Sequence, residues 1–159
     1  MAHYEDLNLC DYFGGADSRI RAVGWLAPDH TYVKGPVAPE FFAALMQLLS
    51  NPWQPFVLVG RHRCEFCKFT GGPARITMNH ASAAIGTTNL FVPGGEVAYV
   101  APSLIVHYID AHGYAPPVAF RGAVLACPPM RSIEYLKAIR HYGLHDLAAR
   151  ARERAGDSR

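Results

Sequence analysis

Apolar and polar positions follow patterns along this chain whose period changes several times, and those changes mark its elements. The first 19 residues are polar, with Gly14 and Gly15 and scattered aromatics, and predict an irregular arm. Positions 20–26 are short and β-compatible, run into Pro28, Asp29 and His30, and predict a first strand. Pro39 suits the first position of a helix, and Glu40 suits the positive end of its dipole. Phe41, Phe42, Leu45, Leu48 and Leu49 then recur at helical steps and share one face, up to a stop at Asn51 and Pro52.

Phe56, Val57, Leu58 and Val59 form a continuous apolar run that predicts a second strand. Residues 69–83 are Gly-rich and without period, and predict a loop with room for a short helix. Two short apolar runs, 88–92 and 97–100, flank Pro93, Gly94, Gly95 and Glu96, and predict a hairpin that takes strand 56–59 as its neighbour. The last third reads as helical. Leu104, Ile105, Tyr108 and Ile109 share a face up to Gly113, a natural left-handed stop. Pro116 and Pro117 open a second helix through Leu125, and Ser132 caps a third whose apolar pattern runs to Gly143.

Together these predict an α+β fold, a small antiparallel sheet with a zinc knuckle and a helical C-terminal third packed on it. The expected organisation is an irregular arm over 1–19, a single zinc-binding domain over 20–143, and a basic helix and tail over 144–159.

Composition narrows the class. The chain has 159 residues, 50% of them apolar and 18% charged, which argues for one domain with a real core and against disorder. A metal here would fix a local geometry and not rescue a coreless peptide. The formal charge is only +2, but residues 131–159 carry seven Lys/Arg against four Asp/Glu. That basic end suits either a solvated helix or contact with nucleic acid. Four cysteines are too few and too unevenly spaced for a secreted disulfide framework. The opening residues lack a basic start followed by an apolar stretch, and no run has the length of a membrane helix. The expected setting is therefore cytoplasmic and reducing, with no membrane contact.

The chemistry concentrates in Gly60-Arg61-His62-Arg63-Cys64-Glu65-Phe66-Cys67, directly after the apolar run at 56–59. Cys64 and Cys67, three positions apart in a short loop, have the spacing that turns two thiolates toward one metal ion. About forty residues on, His107 and His112 lie at the end of a predicted helix. Positions five apart on an ideal helix sit roughly 140° round from each other, so the two converge only if the last turn loosens. Gly113 directly after them permits that. The expected set is Cys64, Cys67, His107 and His112 around Zn2+.

Two residues compete for a place in the set. His62 is a candidate ligand, an outer partner or a solvent-facing residue, and Cys127 is a candidate ligand or a small buried hydrophobe. Asp110 is a candidate to orient a ligating histidine. If one histidine were free, an open metal position would suit catalysis, with Glu65 or Asp110 as base and His62 or His112 stabilising the product. A thiol-redox centre is disfavoured, because Lys68, Phe69, Thr70, Gly71, Gly72 and Pro73 make a poor helix start after Cys67. There is no P-loop, G-x-S-x-G elbow or dinucleotide fingerprint. Trp25, Trp53, Tyr99, Tyr108, Tyr114 and Tyr135 lie in apolar surroundings and are expected in the core.

The G-x-H-x-C-x-x-C run at 60–67, Asn89-Leu90-Phe91-Val92-Pro93, and the H-Y-I-x-x-H-G-Y-x-P-P run at 107–117 resemble a group of small uncharacterised bacterial proteins. So do Val23-Gly24-Trp25-Leu26 and Asn51-Pro52-Trp53-Gln54-Pro55, so the resemblance covers roughly residues 12–137. It implies a bacterial origin and no particular activity. The residues themselves point to a binding or adaptor module with a structural zinc, its partner an unidentified protein or small molecule. Two alternatives stand beside it: a small zinc-dependent enzyme, and a nucleic-acid binder using the basic C-terminal end.

Overall fold

The computed structural model describes residues 2–13, 19–55, 60–144, 146, 149, 153 and 156. In chain order the elements are β1 (Ile20–Ala22), α1 (Pro39–Leu49), β2 (Arg75–Met78), β3 (Ala81–Ala84), β4 (Asn89–Pro93), β5 (Ala98–Pro102), α2 (Ile105–His112), α3 (Val118–Ala126) and α4 (Ile133–Ile139), with a closing 3-10 turn over Arg140–Tyr142. The strand expected at 56–59, and most of the basic end from 144 to 159, lie outside the described residues.

The hairpin β4–β5 is the centre of the fold. Phe91 pairs with Val100 in an antiparallel register, and β5 takes β1 on its other edge in a parallel one, Arg21 opposite Tyr99. The sheet is thus small, as expected, but its order β1-β5-β4 gives it one parallel edge. Successive strand side chains point to opposite faces. Leu90, Val92, Tyr99 and Ala101 face a core shared with Phe41, Leu45 and Leu49 of α1, Ile105 and Tyr108 of α2, and Phe120 and Val124 of α3. Phe91, Ala98 and Val100 face a second core containing Trp25, Tyr135, Ile139 and Tyr142. With both faces covered, β4 from Leu90 on and all of β5 read as unbroken apolar runs.

Two buried polar side chains find backbone partners across these layers. The Trp25 indole donates to the Val100 carbonyl at 3.0 Å and the Tyr135 hydroxyl to the Phe91 carbonyl at 2.7 Å. Trp25, Tyr99, Tyr108, Tyr114 and Tyr135 are buried as expected, and Trp53 is half-buried against Phe91 and Tyr135.

The region from 69 to 83 departs from expectation. In place of a loop with a short helix it carries the antiparallel pair β2–β3, Met78 opposite Ala81. Asn79 and His80 close it as a two-residue turn, both with positive φ (50° and 66°), the backbone that tight hairpins require. β3 is Ala-Ser-Ala-Ala, which lacks the β-branched and aromatic residues that mark strands; its small side chains suit its place under α1. The helices follow their punctuation. Pro39 begins α1, Ser132 accepts a hydrogen bond from the Tyr135 amide at 3.1 Å to cap α4, and Gly113 (φ 66°) and Gly143 (φ 69°) end α2 and the 3-10 turn.

Candidate metal centre

Cys64 and Cys67 sit on a tight loop that its own backbone builds. The Cys67 amide donates to the Cys64 carbonyl (3.3 Å), the Gly71 amide to the Cys67 carbonyl (2.8 Å), and the Cys64 amide to the Gly71 carbonyl (2.7 Å). The amides of Phe66 and Cys67 also point at the Cys64 sulfur, an arrangement that favours a thiolate there. Gly71 and Gly72 both take positive φ (69° and 81°), which lets the chain turn back beside the sulfurs.

The opposite wall is the end of α2. Its final turn is widened: the amides of Gly113 and Tyr114 both reach back to the Tyr108 carbonyl. The Tyr32 hydroxyl donates to the freed His112 carbonyl at 2.9 Å. This is the loosening that five-residue spacing demanded. The His107 and His112 rings stand nearly perpendicular with centroids 5.0 Å apart, and both present Nε2 to the knuckle. Cys67 Sγ lies 3.3 Å from His107 Nε2 and 3.5 Å from His112 Nε2, and Cys64 Sγ lies 3.4 Å from His112 Nε2. All four donor atoms fall within 4.8 Å of one another, so the four residues are positioned to bind one metal ion.

The surroundings prepare the donors. Cys64 and His107 are buried, while Cys67 and His112 are half-buried. Burial lowers both imidazole pKa values; the neighbouring His112 lowers His107 further, and Lys34 lowers His112. Neutral imidazole is the form that ligates a metal. Burial also raises the Cys64 thiol, against its amide donors, which is the reverse of the low pKa that marks a reactive redox thiol. The Phe66 ring packs on His112 at 5.2 Å and on Tyr108 at 5.7 Å, covering one side of the cluster.

The competing residues stand apart. His62 is outside the four-donor group; its amide donates to the Gly86 carbonyl at 2.8 Å, which places the knuckle's first limb beside the sheet. Cys127 is also outside it, at the C-terminal cap of α3, where burial pushes its thiol up to about 11. Cys10 is buried in the second core, its thiol likewise pushed up to about 11. Both behave as small apolar side chains. Asp110 is exposed, and among the described residues no hydrogen bond joins it to either histidine; its charge acts on His107 through space, raising the imidazole. Glu65 is exposed on the knuckle.

One residue at the site escaped the sequence reading. A Cβ on Gly72 would lie 3.1 Å from Cys64 Cβ and 3.2 Å from His107 Nε2, so the glycine leaves the space in which the donors converge. The signal was present in the Gly71-Gly72 pair directly after the cysteines, and it reads as an ordinary turn until the histidines are placed.

No curated protein and no solved structure matches the chain. The domain of unknown function DUF7919 matches residues 2–125, a span that holds all four candidate ligands, and the chain belongs to that family.

Proposed function

We propose that Cys64, Cys67, His107 and His112 bind one Zn2+, and that the ion is structural, clamping the knuckle to α2 in a protein that serves as a binding or adaptor module. The observation that carries this is the spacing of the donors. A tetrahedral zinc with Zn–S near 2.3 Å and Zn–N near 2.0 Å separates sulfur from nitrogen by about 3.5 Å. Three of the four sulfur–nitrogen distances are 3.3, 3.4 and 3.5 Å, and the fourth pair, Cys64 with His107, lies within 4.8 Å. Two thiolates and two imidazoles in a tetrahedron suit zinc among the available divalent ions. They also complete its coordination, leaving no position for an activated water, so the set favours a structural role over hydrolysis.

Elemental analysis of the purified protein, followed by cobalt substitution, tests the proposal. The expected result is one zinc per chain and a tetrahedral cobalt spectrum with the charge-transfer intensity of two thiolates. Absence of stoichiometric zinc sinks the metal, and a five-coordinate cobalt spectrum sinks the closed structural site.

A further inference from the structure

The knuckle presents a surface that metal binding alone does not explain. Phe69, at its outer turn, is fully exposed, with Lys68 and Thr70 exposed on either side. The ring contributes to neither apolar core. Arg61 and Arg63 are exposed on the knuckle's first limb, the Arg63 side chain lying along Gly71 and the Arg61 guanidinium donating to the Gly72 carbonyl at 2.9 Å. Lys34 adds a cation on the other side, its Nζ 5.3 Å from the Tyr32 ring, which in turn packs on Phe66 at 5.6 Å. Glu65 is the one carboxylate in the knuckle against its three cations. Two thiolates would neutralise Zn2+, so these side chains set the field of this face.

We propose that the knuckle, with Phe69 at its tip, Arg61, Arg63 and Lys68 along it and Lys34 beyond the Tyr32–Phe66 pair, binds single-stranded nucleic acid, a base stacking on Phe69 and the cations meeting flanking phosphates. A sequence-tolerant single-strand site combines an exposed aromatic with a positive surface that follows the backbone, and this face has both. Guanidinium groups match phosphate oxygens with paired donors. A lone ring between Lys68 and Thr70 offers too little apolar area to anchor in a bilayer, which favours a stacked base over acyl chains. None of these residues belongs to the basic C-terminal end of the sequence. The inference names the partner of the proposed binding module, and it rests on the metal reading because the ion would hold the knuckle that carries Phe69.

Fluorescence anisotropy with a labelled mixed-sequence twelve-nucleotide single strand, as DNA and as RNA, tests it on the full zinc-loaded chain. Binding is expected at low salt and is expected to weaken as salt rises, since each phosphate contact releases counterions. Phe69→Ala is expected to weaken binding about tenfold, with zinc content and melting temperature unchanged because the ring touches no core. Arg63→Glu with Lys68→Glu is expected to abolish binding and flatten the salt dependence. No binding at low salt, unchanged affinity in Phe69→Ala, or binding only to vesicles containing anionic lipid overturns the inference. Stoichiometric zinc without oligonucleotide binding sinks the inference alone. Phe69-dependent binding by a chain without zinc supports the surface and sinks the metal reading alone.

Discussion

Cys67 Sγ lies 3.3 Å from His107 Nε2, although forty positions separate them in the chain. The contact joins a loop held by its own backbone to the buried face of α2. If a metal occupies the site, Cys67→Ser removes one ligand of the ion that both segments share and is expected to lose stoichiometric zinc. A ligand present at about a thousand times its Kd adds about 4 kcal/mol to folding stability. At roughly 3 °C per kcal/mol for a chain of this size, loss of the ion lowers Tm by about 10 °C. Cys127→Ser, outside the cluster, is expected to keep its zinc. Calorimetry with metal analysis on both variants checks the pair.

Gly72→Ala tests the space in which the donors converge. Its Cβ would press on Cys64 and His107 while the backbone holds φ at +81°. Gly95→Ala is the control, because φ there is +86° and nothing lies within 4 Å of the added carbon. Both are expected to incur the backbone strain of about 1 kcal/mol. Only Gly72→Ala is expected to weaken zinc affinity, by about tenfold or more, read by competition with a chromophoric chelator.

Acid is expected to release the metal, and the direction follows from the histidines. Burial lowers both imidazole pKa values, with His112 adding to the effect on His107 and Lys34 to that on His112. Below the unfolded value of about 6.5 the unfolded chain takes up protons before the folded one does. Stability contributed by the neutral rings is therefore present above that pH and lost as pH falls through the lowered folded values. Protons also compete with the ion for the same nitrogens. Asp110 raises the His107 imidazole, so Asp110→Asn is expected to move the release midpoint to lower pH. A pH titration of zinc content in both proteins measures the shift, and a move to higher pH contradicts it.

Tyr114 and Asp6 tie the N-terminal arm to the end of α2 independently of the four-donor cluster. The Tyr114 hydroxyl donates to both Asp6 carboxylate oxygens at 2.9 and 2.8 Å, and the Gly24 amide donates to one of them at 2.9 Å. Tyr114→Phe strips a half-buried carboxylate of its hydroxyl donor and is expected to destabilise the chain by about 2 kcal/mol. Zinc content is expected to stay unchanged. Chemical denaturation with metal analysis separates the two effects.

Much of the candidate site was legible before any coordinates. The C-x-x-C spacing, the histidine pair and the terminating Gly113 are local signals, each set by the geometry of one turn or one helix end. The helices were legible for the same reason: Pro39, Ser132 and Gly113 act on the backbone beside them. The β2–β3 pair was not, because Ala81, Ser82, Ala83 and Ala84 carry no β-branched or aromatic side chain. Their strand forms because small side chains fit under α1.

What the chain's own pattern determined is the identity of the donors, the helix boundaries and the β4–β5 hairpin, all products of interactions within a few residues. What only the tertiary structure decided is which donors meet. His62 is two residues from Cys64 and stands outside the group, while His107 and His112 are forty or more residues away and inside it. Closeness along the chain gave His62 no advantage, because the first limb of the knuckle is committed to Gly86 beside the sheet. The parallel edge of β1 on β5 and the close approach of Gly72 to His107 were decided the same way, by how separate segments pack once their local shapes are set.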